Sequence, residues 1–320
     1  MNYNIRVDDL WFSNDTLVLK ADEKVFRVSK SLLAMRSSVF RDMVAFPSPT
    51  IEDAEIIEGS PVVLLHDSAD SVEVFLRAIF DSSYFMPPPA RVELHSVLSI
   101  LRLSHKYDVQ YLFLRALQHL SVRYGPSSLD NYRGREDSDH IIYAEDGARC
   151  YLAIISALRE VEALWLLPVA YYTASTCTEE ALRSTIAHGA AENVVQTCLV
   201  AQSHIMRGSG AMYRFLARPS AECANRKGCA ELRLRSLDLY FDFLHGRDLL
   251  CPLDYWSDSD WEDLSSVGWC ERCVSHGQEI HRAELQDFWD SLPSIYALPP
   301  WAELNAMKDA VMDGTQVGLP

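Results

Sequence analysis

Cysteine is absent from the first 149 residues, so any cysteine chemistry of this chain belongs to its second half. Also absent is an apolar run near the roughly 20 residues that crossing a bilayer takes. The start, Met1-Asn2-Tyr3-Asn4-Ile5-Arg6, carries no basic segment followed by an apolar stretch, which a secretory signal would need. The expectation is a protein of the cytoplasm or nucleus with no membrane partner. In those compartments thiols stay reduced, so eight cysteines do not read as a disulfide framework. Basic residues are sparse as well: 29 Lys and Arg against 45 Asp and Glu give a net charge of −16. Residues 246–320 alone hold 14 acidic side chains and four basic ones. Such a chain repels phosphate backbones, and direct nucleic-acid binding is not expected.

The frames of common enzymes are missing too. No Gly-rich loop precedes a Lys-Ser or Lys-Thr pair, and Gly208-Ser209-Gly210 lacks the full Gly-x-Ser-x-Gly turn. His276-Gly-Gln-Glu-Ile-His281 misplaces the Glu and spaces its histidines one residue too far for a zinc protease. His66, His95 and His105 fall in separate segments and pair with no nucleophile. The chain does not read as an enzyme.

What is present is an ordinary globular composition: 320 residues, 48% apolar and 23% charged, enough for two or three domains. Leu17 to Val28 alternates around a polar Ala21–Lys24 centre, a hairpin pattern. Ser29 or Ser31 then caps a helix holding Leu32, Leu33, Val39, Phe40 and Met43. Pro47, Pro49 and the acidic stretch 52–58 form a loop, and Val62–Leu65 a short buried strand. Two helices follow, one marked by Val72, Phe75, Leu76 and Ile79, the next by Leu94, Val97, Leu98 and Leu101. Pro87-Pro88-Pro89 separates them. Tyr107-Asp108-Val109 breaks the chain before a last helix through Leu120, and Gly125-Pro126 ends the unit. Residues 126–145 read as a polar linker. From Tyr151 to about His245 the pattern is helical, with Pro168 expected to kink or end a helix. No repeat of solenoid period is present.

Three phrases in this order carry a resemblance. Phe26-Arg-Val-Ser-Lys-Ser-Leu-Leu-Ala-Met-Arg-Ser-Ser-Val-Phe40 resembles a strand entering a first helix, with an Arg36-Ser37 step and an aromatic at Phe40. Val63-Leu-Leu-His-Asp67 followed by Val74–Phe80 resembles a strand–acid–helix segment. Leu103-Ser-His-Lys-Tyr-Asp-Val-Gln-Tyr-Leu112 resembles a late helix–Lys-Tyr–helix signature. Together they resemble the BTB/POZ domain. Leu164–Pro168, Phe288–Pro293 and Leu298–Trp301 further resemble segments of a large group of fungal BTB proteins.

The resemblance implies a mostly helical α+β fold. A BTB/POZ domain spans 1–124, a linker 125–145, an all-α domain 146–245 and a small Cys/Trp-rich acidic subdomain 246–320. It implies a protein-interaction scaffold or adaptor whose partners are other proteins, with homodimerisation through the domain and a cullin as alternatives. Two departures bear on those alternatives. Ser29 stands where the family usually has His, near the dimer-forming surface. Phe85-Met-Pro-Pro88 lacks the Glu of cullin-binding members.

The cysteines suggest a site of their own. Cys270-Glu-Arg-Cys273 has the spacing by which one tight knuckle grips a metal ion with two thiolates. Cys223-Ala-Asn-Arg-Lys-Gly-Cys229 supplies two more, Gly228 easing its turn, and Cys251 and His276 are substitutes. Four thiolates close the coordination of zinc, so such a site is structural; four unrelated cysteines are the alternative. Trp269-Cys270-Glu-Arg-Cys273 also superficially resembles a thioredoxin redox motif, without the strand–helix–strand setting. Cys150, Cys177 and Cys198 read as packing residues, and Trp256, Trp261, Trp269, Trp289 and Trp301 as the core of the terminal subdomain.

Overall fold

A computed structural model describes residues 4–45, 56–134, 140–143, 147–245, 251–253 and 258–313. Of 238–245 and 258 the backbone alone is described. Contacts divide the chain into two units. The first comprises residues 1–123 with 136–144 and 160–162, the second 124–135, 145–159 and 163–320.

The first unit opens with β1 (Ile5–Trp11), β2 (Thr16–Ala21) and β3 (Lys24–Ser29). Strands β2 and β3 are the expected antiparallel hairpin, Ala21 facing Lys24 across a two-residue turn. Asp22 takes a positive φ of 47° there, a conformation Asp tolerates better than most residues. Ser29 caps helix α1 (Lys30–Arg36), its hydroxyl accepting from the Leu32 N–H at 3.4 Å. Helix α2 (Ser38–Ala45), β4 (Ile56–Ile57) and β5 (Ser60–Leu65) follow. Pro47, Pro49 and most of the expected acidic loop lie outside the described residues.

Five strands form one sheet in the order β1-β3-β2-β5-β4. Strand β1 runs parallel to β3 and was invisible in the sequence pattern, because at this sheet edge only Leu10 of its seven residues is buried. Strand β5 is less covered than its apolar run suggested. Leu65 is buried, but Leu64 is 55% exposed, since only one face of the strand meets the core.

Helix α3 (Ala69–Phe80), capped by Ser68, packs on α4 (Leu94–Lys106), and α5 (Gln110–Tyr124) follows the break at Tyr107. Lys24 reaches from the hairpin to α3, its Nζ donating to Asp70 at 2.6 Å and Glu73 at 2.8 Å. Short β6 (Val92–Glu93) pairs in parallel with β7 (Ile141–Ile142), so part of the segment read as a linker is strand.

In the second unit, α6 (Leu129–Arg133) occupies another part of that segment. Helix α7 (Ala148–Glu160) and a 3₁₀ turn at Leu164–Leu166 precede α8 (Leu167–Ser175). Pro168 starts α8 rather than ending a helix, because at a first turn its missing N–H costs no intrahelical bond. Next come α9 (Glu179–Ser184), the long α10 (Glu192–Met212), α11 (Arg214–Ala217) and α12 (Arg226–His245). Helix α13 (Asp258–Ser266), α14 (Glu271–Ile295) and α15 (Trp301–Met312) complete the unit.

Helix α14 packs on α8, α10, α11 and α13. At Gly208 of α10 an added Cβ would lie 2.5 Å from the Phe288 ring of α14. Trp289, fully buried, stacks on Trp301 with ring centres 4.6 Å apart and planes within 4°. The Trp301 indole N–H donates to the Trp289 carbonyl at 2.9 Å, and α15 packs on the 3₁₀ turn at Leu164–Leu166. The phrases Leu164–Pro168, Phe288–Pro293 and Leu298–Trp301 are therefore neighbours in space.

Candidate functional site

The four cysteines Cys223, Cys229, Cys270 and Cys273 meet in the second unit, their sulfurs all within 4.8 Å of one another. Local structure on each side brings them there. Asn225 caps the start of α12, its side-chain oxygen accepting from the Gly228 N–H at 3.0 Å and its carbonyl from the Cys229 N–H at 2.9 Å. This folds the five-residue spacer between Cys223 and Cys229 into a knuckle.

On the other side, Gly268 at φ +106° ends α13, and the Trp269 N–H returns to the Leu264 carbonyl at 3.1 Å. Cys270 then sits at the start of α14, its carbonyl accepting from the Cys273 N–H at 2.9 Å. The Cys270 N–H points at the Cys229 sulfur at 3.4 Å, and the Cys270 and Cys223 sulfurs are 3.8 Å apart. An exposed Arg272–Glu222 ion pair at 2.5 Å joins the two knuckles from outside.

The surroundings are apolar. Cys229 and Cys273 belong to a buried cluster with Phe215, Leu216, Trp261, Leu264, Trp269 and Val274. Burial pushes the Cys223 thiol up to about 12, with the Cys273 thiol adding to the rise. Cys270 goes the other way, down to about 6. Burial opposes that fall, but the N–H groups of Ala224 and Cys273 aimed at its sulfur outweigh it.

The donor set fits a tetrahedral thiophilic ion: zinc–sulfur bonds of about 2.3 Å place sulfurs about 3.8 Å apart, the separation of Cys223 and Cys270. Four closely set cysteines of this kind can hold a metal.

The remaining cysteines stay outside the cluster. All eight are free. Cys198 is fully buried and its thiol pushed up to about 12 by burial, and Cys150 is buried too. A buried thiol raised in this way, as at Cys198, suits packing rather than reaction. Cys251 and His276 are not in the group, His276 lying 3.9 Å from Glu279 instead. Trp261, Trp269 and Trp289 are core residues; Trp256 lies outside the described residues. All four clustered cysteines were legible from their spacing; Asn225, a cap three residues before Gly228, and Arg233, one turn beyond Cys229 on α12, carry no spacing motif of that kind.

In the first unit the three phrases of the family resemblance converge on Tyr107. Its ring stacks on Phe40 at 4.7 Å and Phe75 at 5.7 Å. Its hydroxyl donates to Asp67 at 2.6 Å, beside the Lys106 ammonium at 2.7 Å, and its carbonyl accepts from Ser37 Oγ at 2.5 Å. Burial and the Asp67 carboxylate together push the Tyr107 phenol well above its ordinary range. Tyr107→Phe leaves a half-buried carboxylate short of a donor and is expected to destabilise the unit by about 1–3 kcal/mol in a denaturant melt.

The loop at Phe85–Pro88 is tied to α5. Arg115 donates to the Phe85 carbonyl, and His119 Nε2 lies 2.8 Å from the Met86 carbonyl. Apolar side chains remain exposed on this unit, Met35 at 70% and Met86 at 48% among them. His66, His95 and His105 are exposed.

A short mixed sheet packed with helical pairs makes up this unit. Residues 11–123 match the family model of the BTB/POZ domain, and this part of the chain is a BTB/POZ domain. No curated protein and no solved structure matches the chain.

Proposed function

We propose that the protein is a non-enzymatic adaptor that recruits other proteins through its BTB/POZ domain, with a second unit clamped by structural zinc at Cys223, Cys229, Cys270 and Cys273. The match over residues 11–123 carries the adaptor reading, since BTB/POZ domains mediate protein–protein contacts. The convergence of four sulfurs within 4.8 Å supports the zinc. Zinc bound by four protein thiolates keeps no open position, so it holds chain segments together and activates no substrate. We place the protein in the cytoplasm or nucleus, where the thiols stay reduced; no described helix is long and apolar enough to cross a membrane.

A second reading, thiol–disulfide exchange by Cys270 and Cys273, draws on the position of Cys270 at a helix start and its lowered thiol. Helix α13 precedes the motif where a redox fold has a strand. An insulin-reduction assay separates the two, turnover lost in Cys270→Ser favouring the redox reading.

Cross-linking and affinity capture of the full chain from its native cells tests the adaptor. A reproducible set of proteins cross-linked to residues 11–123 is the expected result. A cullin among them makes the protein a ligase adaptor despite the missing Glu at Phe85–Pro88, and self-cross-links would establish the homodimer. Capture of no protein through this domain overturns the reading.

A further inference from the structure

Arg233 is an unusual residue to find where it is. It is 6% exposed, and no carboxylate among the described residues pairs with it. Its Nη1 donates to the Phe215 carbonyl at 2.7 Å and the Leu216 carbonyl at 3.4 Å, which ties α12 to α11. Its Nε and Nη2 have no hydrogen-bond partner, and neither has the indole nitrogen of Trp269. The guanidinium lies over that indole, its carbon 4.6 Å from the ring centre. A buried cation held by carbonyls and a ring face alone is poorly compensated, and leaving one uncompensated costs several kcal/mol. Capping two carbonyls does not explain a full charge, because a neutral donor would cap them equally well.

The ring and carbonyls that Arg233 touches belong to the apolar cluster that also holds Cys229 and Cys273. Arg233 stands four residues after Cys229, so the two share a face of α12. Trp269, on which it stacks, is bonded to Cys270 and clusters with Cys229 and Cys273. Four thiolates around one divalent ion leave a net charge of −2 in surroundings that screen it weakly. The nearby Arg272 is already paired with Glu222 and 60% exposed, where solvent screens it.

Resting on the zinc reading above, we infer that Arg233 is the outer-sphere charge partner of the metal-loaded cysteine cluster, set there to offset its dianionic charge without touching the sulfurs. Metal and arginine then stabilise each other. Without the metal the guanidinium is a burden; with it, the arginine tightens the hold on zinc.

The test uses the full-length protein with zinc as the only added ligand. Wild type, Arg233→Gln and Arg233→Lys compete for zinc with a chromophoric chelator, and each is melted both loaded and zinc-free. Arg233→Gln keeps a donor for the carbonyls and loses the charge. It is expected to bind one zinc 10–100-fold more weakly, the usual cost of removing a group that supports metal ligands. Arg233→Lys recovers most of that affinity. Zinc-free Arg233→Gln melts no lower than zinc-free wild type, whereas loaded it melts below loaded wild type.

A purely structural arginine would lower both melting temperatures alike and leave the zinc affinity unchanged, and that pattern overturns the inference while leaving the zinc site standing. Wild type that takes up no zinc overturns the site and the inference with it. Should Arg233→Gln not fold, Arg233→Met is read by the same criteria.

Discussion

Cys273→Ser is expected to abolish the stoichiometric zinc binding proposed for the cluster and to remove any dependence of the second unit's melting on chelator. Cys273 is fully buried at the start of α14, packed among Trp261, Trp269 and Phe215. Its sulfur is one of four that draw together α12, α14 and the loop before α12. Serine keeps the shape but offers an oxygen that does not deprotonate at neutral pH, so the ion loses one of four ligands. On the zinc reading, an ion that binds the folded cluster more tightly than the dispersed cysteines turns its binding free energy into folding free energy. With free zinc at 1,000 times the dissociation constant, that linkage stabilises the fold by about 4 kcal/mol. Metal analysis and a melt with and without a strong chelator check it. The wild-type midpoint falls in chelator and the variant's does not move. A wild-type midpoint indifferent to chelator would return the four cysteines to simple packing.

Trp289→Ala is expected to be the most damaging single change away from the cysteines, costing about 3–5 kcal/mol by the usual scale for deleting a buried tryptophan. Trp289 is 2% exposed, stacked flat on Trp301 and 5.4 Å from Tyr132. Its loss opens a cavity beside Trp301 and Tyr132 in a close-packed interior. Trp289→Phe retains part of the stack and should recover roughly half the loss. Denaturant midpoints of the three proteins decide this. Equal midpoints for Trp289→Ala and wild type would show that the stacked pair contributes nothing.

The sequence by itself determined the elements whose signals are local. The β2–β3 hairpin follows from alternation around a polar turn, and the α3 and α4 helices from apolar residues spaced by three and four. The cap of α1 follows too, because Ser29 needs only the N–H group three residues ahead. Cys270-Glu-Arg-Cys273 was legible for the same reason, its two sulfurs being brought together by one turn of backbone. Strand β1 was not, since an edge strand with one buried residue leaves no periodic trace. Pro168 was misjudged because a proline breaks a helix or begins one according to what precedes it, which the local pattern does not reveal.

Only the tertiary structure decided that Cys223 and Cys229 meet Cys270 and Cys273, Cys270 lying 41 residues beyond Cys229, and that Cys251 and His276 stay outside the group. It also decided that the three BTB phrases close on a single tyrosine and that an arginine lies buried beside Trp269. The physical reason is common to all of these. Periodicity and capping act over a few residues, so composition and spacing record them. Burial, charge compensation and the approach of distant sulfurs depend on which helix faces meet, and a chain specifies those meetings through its whole core at once.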